Sequence, residues 1–161
     1  GCYGSETSDI LNRILLINKL GELKYLDVKD LNLGYRSSKI DEKSIILKAD
    51  FKLDYGSYDD IKFKNNEIKF KRKTSQPLDK KTSGSTFKNP PGKFAAVLIE
   101  KSGCKGMVIG GASISNLHSN FIINNGNASA KDIEKLGKAV IEKVKQKFGI
   151  TLDWEIKILG D

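Results

Sequence analysis

In Gly84-Ser85-Thr86-Phe87-Lys88-Asn89-Pro90 a flexible glycine precedes a hydroxyl, and an aromatic ring, a cation, a carboxamide and a proline follow within a few residues. Such a segment sets a hydroxyl beside groups suited to a polar, anionic ligand. A serine hydroxyl is a poor acid, so acid chemistry here requires a polarised site. Two other segments offer partners for it. Gly34-Tyr35-Arg36-Ser37-Ser38 carries a phenol and a cation in a turn, where side chains project off a rigid scaffold. Glu155 lies in an alternating apolar run near the end of the chain. Taken singly, each has an ordinary reading: a solvated loop, an exposed arginine in a tight turn, a glutamate on a wet strand face. His118 alone also reads as structural, and with no His or Cys neighbour at ligand spacing no metal site is expected. No GxGxxG or P-loop pattern occurs, so no Rossmann-type dinucleotide site is expected within these residues.

The elements that must position these groups are partly legible. Residues 10–27 predict a hairpin, with Ile14-Leu15-Leu16-Ile17 leading to a turn at Gly21 and a return through Leu23 and Tyr25. Residues 45–55 predict a strand that buries Leu47, Ala49, Phe51, Leu53 and Tyr55 and leaves Lys48, Asp50, Lys52 and Asp54 wet. A polar helix is expected over 58–73, an extended link over 74–91, and a short helix over 92–102 with Phe94, Val97 and Leu98 inward. Residues 107–112 and 120–124 predict two strands. The helix over 130–148 has a Ser129–Asp132 capping box, an Ile133, Leu136, Val140, Val144, Phe148 stripe and a closing Gly149. A last strand is expected to carry Leu152, Trp154, Ile156 and Ile158 on one face and Glu155 on the other.

With 161 residues, 39% apolar and 30% charged, the chain is expected to be globular, as one domain or two small ones. No apolar run approaches the ~20 residues of a membrane helix, so no membrane partner is expected. Two cysteines, Cys2 and Cys104, without a CxxC, read as cytosolic thiols. The net charge of +8 concentrates between Lys62 and Lys81, with Phe63, Phe70 and Phe87 nearby. Interleaved Asp59, Asp60, Glu67 and Asp79 and the absence of a nucleic-acid motif argue against an RNA or DNA footprint. The charge suits attraction of a smaller anionic ligand instead. The composition shifts at Ser75-Gln76-Pro77, which places the expected boundary between residues 1–73 and 74–161.

The three segments, in this order and at these distances, resemble the UDP-N-acetylenolpyruvoylglucosamine reductase family. The likeness also takes in Gly1-Cys2-Tyr3-Gly4-Ser5-Glu6, Arg72 to Pro77, Lys105-Gly106, Ile109-Gly110-Gly111, His118 to Asn124 and Gly126-Asn127-Ala128. It implies an α+β chain: the C-terminal part of a flavin-binding domain over 1–73, then a compact substrate-binding domain over 74–161. The implied activity is NADPH- and FAD-dependent reduction of UDP-N-acetylglucosamine enolpyruvate to UDP-N-acetylmuramate, for bacterial peptidoglycan, in the cytoplasm. In that register Ser85 donates a proton while Arg36 and Glu155 stabilise an enol-type intermediate. Tyr35, Arg72, Gln76, Asn89 and His118 lie along the substrate, and Tyr3, Gly4 and Glu6 belong to the flavin side. The short link from Ser38 to Lys81 matches the subgroup without a tyrosine-bearing lid. The glycine loops that cradle FAD are expected before Gly1, so this chain is expected to be inactive without that missing N-terminal half. The rival from another class is a basic nucleotide-sugar- or RNA-binding module without catalysis.

Overall fold

In the computed structural model Gly1 and residues 3–160 are described; Cys2, one of the two expected thiols, lies outside them. The chain is α+β and divides into two compact units, residues 1–65 and 66–161.

In the first unit a short helix α1 (Thr7–Ile10) leads into β1 (Leu11–Ile17), which is central in an antiparallel sheet of order β2-β1-β3. The expected hairpin is present: β2 (Leu23–Asp27) returns after a turn in which the Asn18 carboxamide oxygen accepts the N–H groups of Leu20 and Glu22. Gly21, at φ 81°, occupies the left-handed position there. Leu11, Ile14, Leu16 and Leu31 form the core, packed with Leu26, Val28, Leu33 and Ile40. β3 (Ile45–Phe51) departs from expectation. It ends at Phe51, and Leu47, Phe51, Leu53 and Tyr55 are all at least half exposed. The turn at Val28–Leu31 packs on β1 and β2, leaving the apolar face of the β3 edge uncovered among the described residues of this unit. Alternation records which side chains share a face, and burial still needs an element to cover that face.

The polar helix α2 (Tyr58–Ser75) buries no residue and runs through the boundary between the units. The expected seam at Ser75-Gln76-Pro77 falls at its C-terminal end, inside the second unit.

The second unit has a sheet of order β4-β5-β6, from Val108–Ile109, Ala112–Ile114 and Ile122–Asn124. Met107 to Ala112 is therefore a hairpin rather than one strand, because Gly110 (φ 55°) and Gly111 turn the chain between the paired Ile109 and Ala112. Helix α3 (Ala95–Lys101) starts three residues later than expected and buries Ala95, Leu98 and Ile99, while Phe94 and Val97 face solvent. Its i, i+3, i+4 face is set by that later start. Helix α4 (Ala130–Phe148) matches the sequence reading in both ends: the Ser129 hydroxyl accepts the Asp132 N–H at 3.1 Å, and Gly149 closes it at φ 67°. Leu136, Val140 and Val144 are fully buried against Ile99, Cys104, Ala112, Ile114 and Leu152. The expected final strand is reduced to a single bridge between Trp154 and Phe87. Leu152 is buried and Trp154 and Ile156 are half-buried, but Ile158 is exposed.

Candidate active site

Ser85 sits in an extended stretch that lies antiparallel beside β6, with bridges Lys81 to Asn124 and Ser85 to Phe121. Gly84 precedes it at φ 88°, a conformation that side-chain-bearing residues rarely adopt. On the other side of this stretch runs the Glu155 segment. The Glu155 N–H donates to the Thr86 carbonyl at 2.9 Å and the Lys88 N–H to the Asp153 carbonyl at 2.9 Å. Ser85 and Glu155, separated by seventy positions, are thus carried on neighbouring extended segments, and both are half-buried.

Thr86 and Phe87 anchor the stretch from beneath. Thr86 is buried and its hydroxyl oxygen accepts the Ile122 N–H at 3.3 Å. Phe87 packs against Trp154 with ring centroids 5.0 Å apart. Trp154 in turn lies against Gly137 of α4, where a Cβ would sit 2.6 and 2.9 Å from Cζ3 and Cζ2 of the indole.

The remaining candidates occupy several settings. The Asn89 carboxamide oxygen accepts the Ala95 N–H at 2.9 Å, so it caps the first turn of α3. His118 Nδ1 accepts the Asn120 N–H at 3.3 Å, which leaves the proton of the neutral ring on Nε2. Its ring meets Phe121 edge-on at 4.7 Å, and burial pushes its pKa below the ordinary histidine value. Arg72 is exposed on the last turn of α2 and its carbonyl accepts the Gln76 N–H at 2.9 Å. Ser85, Asn89, His118, Glu155, Arg72 and Gln76 all belong to the second unit.

Tyr35 and Arg36, in the first unit, form the expected turn: Gly34 and Ser37 exchange N–H to carbonyl bonds of 3.0 and 3.1 Å. Arg36 holds φ 55°, a left-handed backbone without a glycine, and its guanidinium lies 5.7 Å from the Tyr35 ring centre. Strain of this kind gathers at functional sites. Tyr3 (φ 53°) and Gly4 (φ 82°) make a second left-handed turn in the same unit. The Glu6 N–H is taken by Asp9 at 2.7 Å and the Asp9 N–H by Glu6 at 3.1 Å. Of residues 3–6, Glu6 is thus tied into the start of α1 through its backbone N–H and carbonyl.

A cavity of about 640 Å³ opens on the sheet face turned away from α4, lined by Lys80, Lys81, Ser115, Asn116, Asn124 and Asn125 among others. Neither Ser85 nor Glu155 lines it. Among the described residues no group of three His, Cys, Asp or Glu is arranged to hold a metal. Sequence reasoning did not single out Asn120, which is buried beneath the Ser85 stretch. The signal available was a lone carboxamide set against the apolar run Phe121-Ile122-Ile123.

The family described as UDP-N-acetylenolpyruvoylglucosamine reductase, C-terminal domain, matches residues 76–159. Proteins named UDP-N-acetylenolpyruvoylglucosamine reductase from Rickettsia conorii and Rhodopseudomonas palustris are each 45% identical over 160 residues. That alignment takes in 99% of this chain but 54% and 52% of theirs, so the chain spans about half the length of these curated relatives. The crystal structure of the UDP-N-acetylenolpyruvylglucosamine reductase from Thermus caldophilus superimposes with a TM-score of 0.84 at 34% identity, over 96% of this chain and 56% of that one. With that motif register, that identity and that shared architecture, the chain belongs to the UDP-N-acetylenolpyruvoylglucosamine reductase family.

Proposed function

We propose that this chain forms the C-terminal half of an enzyme that reduces UDP-N-acetylglucosamine enolpyruvate to UDP-N-acetylmuramate with NADPH, in the bacterial cytoplasm. The observation that carries the reading is the pairing of the Ser85 and Glu155 segments through the Glu155 N–H to Thr86 carbonyl bond. FAD, when bound, would supply the hydride-transfer chemistry between NADPH and the enolpyruvyl double bond. One carbon of that bond then needs a proton, and Ser85 delivers it from its hydroxyl. Glu155 holds the proton network beside that hydroxyl, which returns a proton to the serine oxygen as it gives up its own, so no free alkoxide is left. Arg36 balances negative charge as it develops on the substrate. Tyr35, Arg72, Gln76, Asn89 and His118 orient the nucleotide sugar. Tyr3, Gly4 and Glu6 would border the flavin, and its pyrophosphate would be held by the part of the relatives' length that this chain does not span. No helix among the described residues is long and apolar enough to cross a membrane.

The test is a full-length reductase whose C-terminal half is this chain. It should bind FAD and consume NADPH beyond the single equivalent that reduces the flavin only when the enolpyruvyl nucleotide sugar is present, and this chain alone should not. Full-length protein that binds FAD yet leaves NADPH untouched with that substrate would sink the reading in favour of a binding module.

A further inference from the structure

Asn120 is 4% exposed, and both ends of its carboxamide are spent on a single residue 33 positions away. Its Oδ1 accepts the Phe87 N–H at 3.0 Å, and its Nδ2 donates to the Phe87 carbonyl at 2.8 Å. Its own carbonyl accepts the Thr86 N–H at 2.8 Å. The opposite edge of the same two residues carries the Glu155 segment, through the Thr86 carbonyl and the contact of the Phe87 and Trp154 rings. One side chain therefore closes the backbone valences of Phe87 that no strand partner meets, between Ser85 on one side and the strand of Glu155 on the other. Only a carboxamide offers a donor and an acceptor at this spacing: aspartate loses the donor and leucine loses both. Without it, a buried N–H and a buried carbonyl have no partner, and the stretch must shift to reach water.

We infer that Asn120 is a positioning residue: by holding Phe87 on both backbone atoms it sets the Ser85 hydroxyl in register with Glu155, without touching substrate. The inference rests on the reading of Ser85 as proton donor. The side chain is needed because the stretch bulges away from β6 here, where the Ile122 N–H goes to the Thr86 hydroxyl instead of a backbone carbonyl.

Asn120→Leu and the near-isosteric Asn120→Asp test it at two levels. In this chain, amide exchange at Phe87 and Glu155 should rise at least about tenfold while Val140 and Val144 in α4 stay protected. Emission from Trp154, the single tryptophan, should shift to the red. In the full-length enzyme both variants should leave flavin reduction by NADPH unchanged. They should slow reoxidation by substrate at least about tenfold, since misplacements of about 1 Å carry penalties of that order and more. The solvent deuterium effect on reoxidation should grow, because the proton step becomes slower, a change that lost stability alone does not produce. Unchanged exchange at Phe87 overturns the inference. So does a variant whose two half-reactions fall together. If Ser85→Ala leaves reoxidation untouched, the parent reading fails and this inference falls with it. If Ser85→Ala slows reoxidation while folded Asn120→Leu does not, the inference alone is refuted. Should Asn120→Leu not fold, Asn120→Asp decides by the same measurements.

Discussion

Gly137→Ala sets helix propensity against packing. Alanine in a helix interior is favoured over glycine by about 1 kcal/mol, so on propensity alone the substitution stabilises α4. The added methyl, however, would overlap the indole of Trp154, with ring carbons at 2.6 and 2.9 Å where carbon atoms rest at about 3.5–4 Å. Indole Cη2 lies nearer still, so the ring must retreat by well over ~1 Å, yet the residues beside it are held by the Lys88 N–H to Asp153 and Glu155 N–H to Thr86 backbone bonds. Phe87 blocks a further route, its ring centre being 5.0 Å from that of Trp154. Overpacking of this kind costs about 1–3 kcal/mol, and the anchored backbone puts this site at the upper end. The expected net effect is a loss of about 1–2 kcal/mol. Urea unfolding followed by tryptophan emission reads it directly, because Trp154 is the single tryptophan and reports on the second unit. With a slope of about 1 kcal/mol per molar urea, the midpoint should fall by about 1–2 M. A midpoint equal to the parent or above it, with unchanged emission, would show that the indole does not rest on Gly137 as described.

Three further outcomes are expected. This chain purified alone should carry little or no FAD, since its sequence holds no GxGxxG or P-loop segment to cradle a pyrophosphate; an absorbance spectrum with near-stoichiometric bound flavin would contradict that. His118 is held below its ordinary pKa by burial, so on acidification the unfolded chain takes the proton first. Its stabilising contribution is present above pH about 6.5 and is lost as pH falls through the lower folded value, so His118→Gln should flatten the denaturation midpoint across that window. Ser129→Ala removes the N-cap of α4 and should cost about 1 kcal/mol in the same urea assay, whereas an unchanged midpoint would mean that the cap is dispensable.

The parts of this structure that were legible in the sequence are those decided locally. Helix α4 announces itself because its cap, its stripe and its closing glycine agree within one segment. The first hairpin is legible for the same reason, with Gly21 between two apolar runs. Elsewhere a local pattern needed a distant partner. The alternation of Leu47, Phe51 and Leu53 has no covering element among the described residues of its own unit, so the face is exposed. The alternation after Leu152 finds a partner only at Phe87, so no strand forms. The Ser85 and Glu155 segments, which lie side by side in the second unit, were marked by residue type, but the way Ser85 is held was not legible. Asn120 acts on Phe87 across 33 positions, and no periodicity within either segment records that bond. A polar residue on a strand edge reads as wet until the residue that buries it is known.

The central claim is that Ser85 protonates the substrate, and the two half-reactions of the full-length enzyme separate that step from hydride delivery. Ser85→Ala should leave flavin reduction by NADPH nearly unchanged, because that step takes no proton from this hydroxyl. Reoxidation by the enolpyruvyl substrate should slow by at least ~10²-fold, the usual worth of a positioned proton donor. Substrate affinity should change little, since one hydroxyl contributes about 1 kcal/mol of net hydrogen bonding. Stopped-flow flavin absorbance follows both steps in one preparation. Selective slowing of reoxidation is the predicted result; a reoxidation rate equal to the parent's, or a matched collapse of both steps, would contradict the assignment.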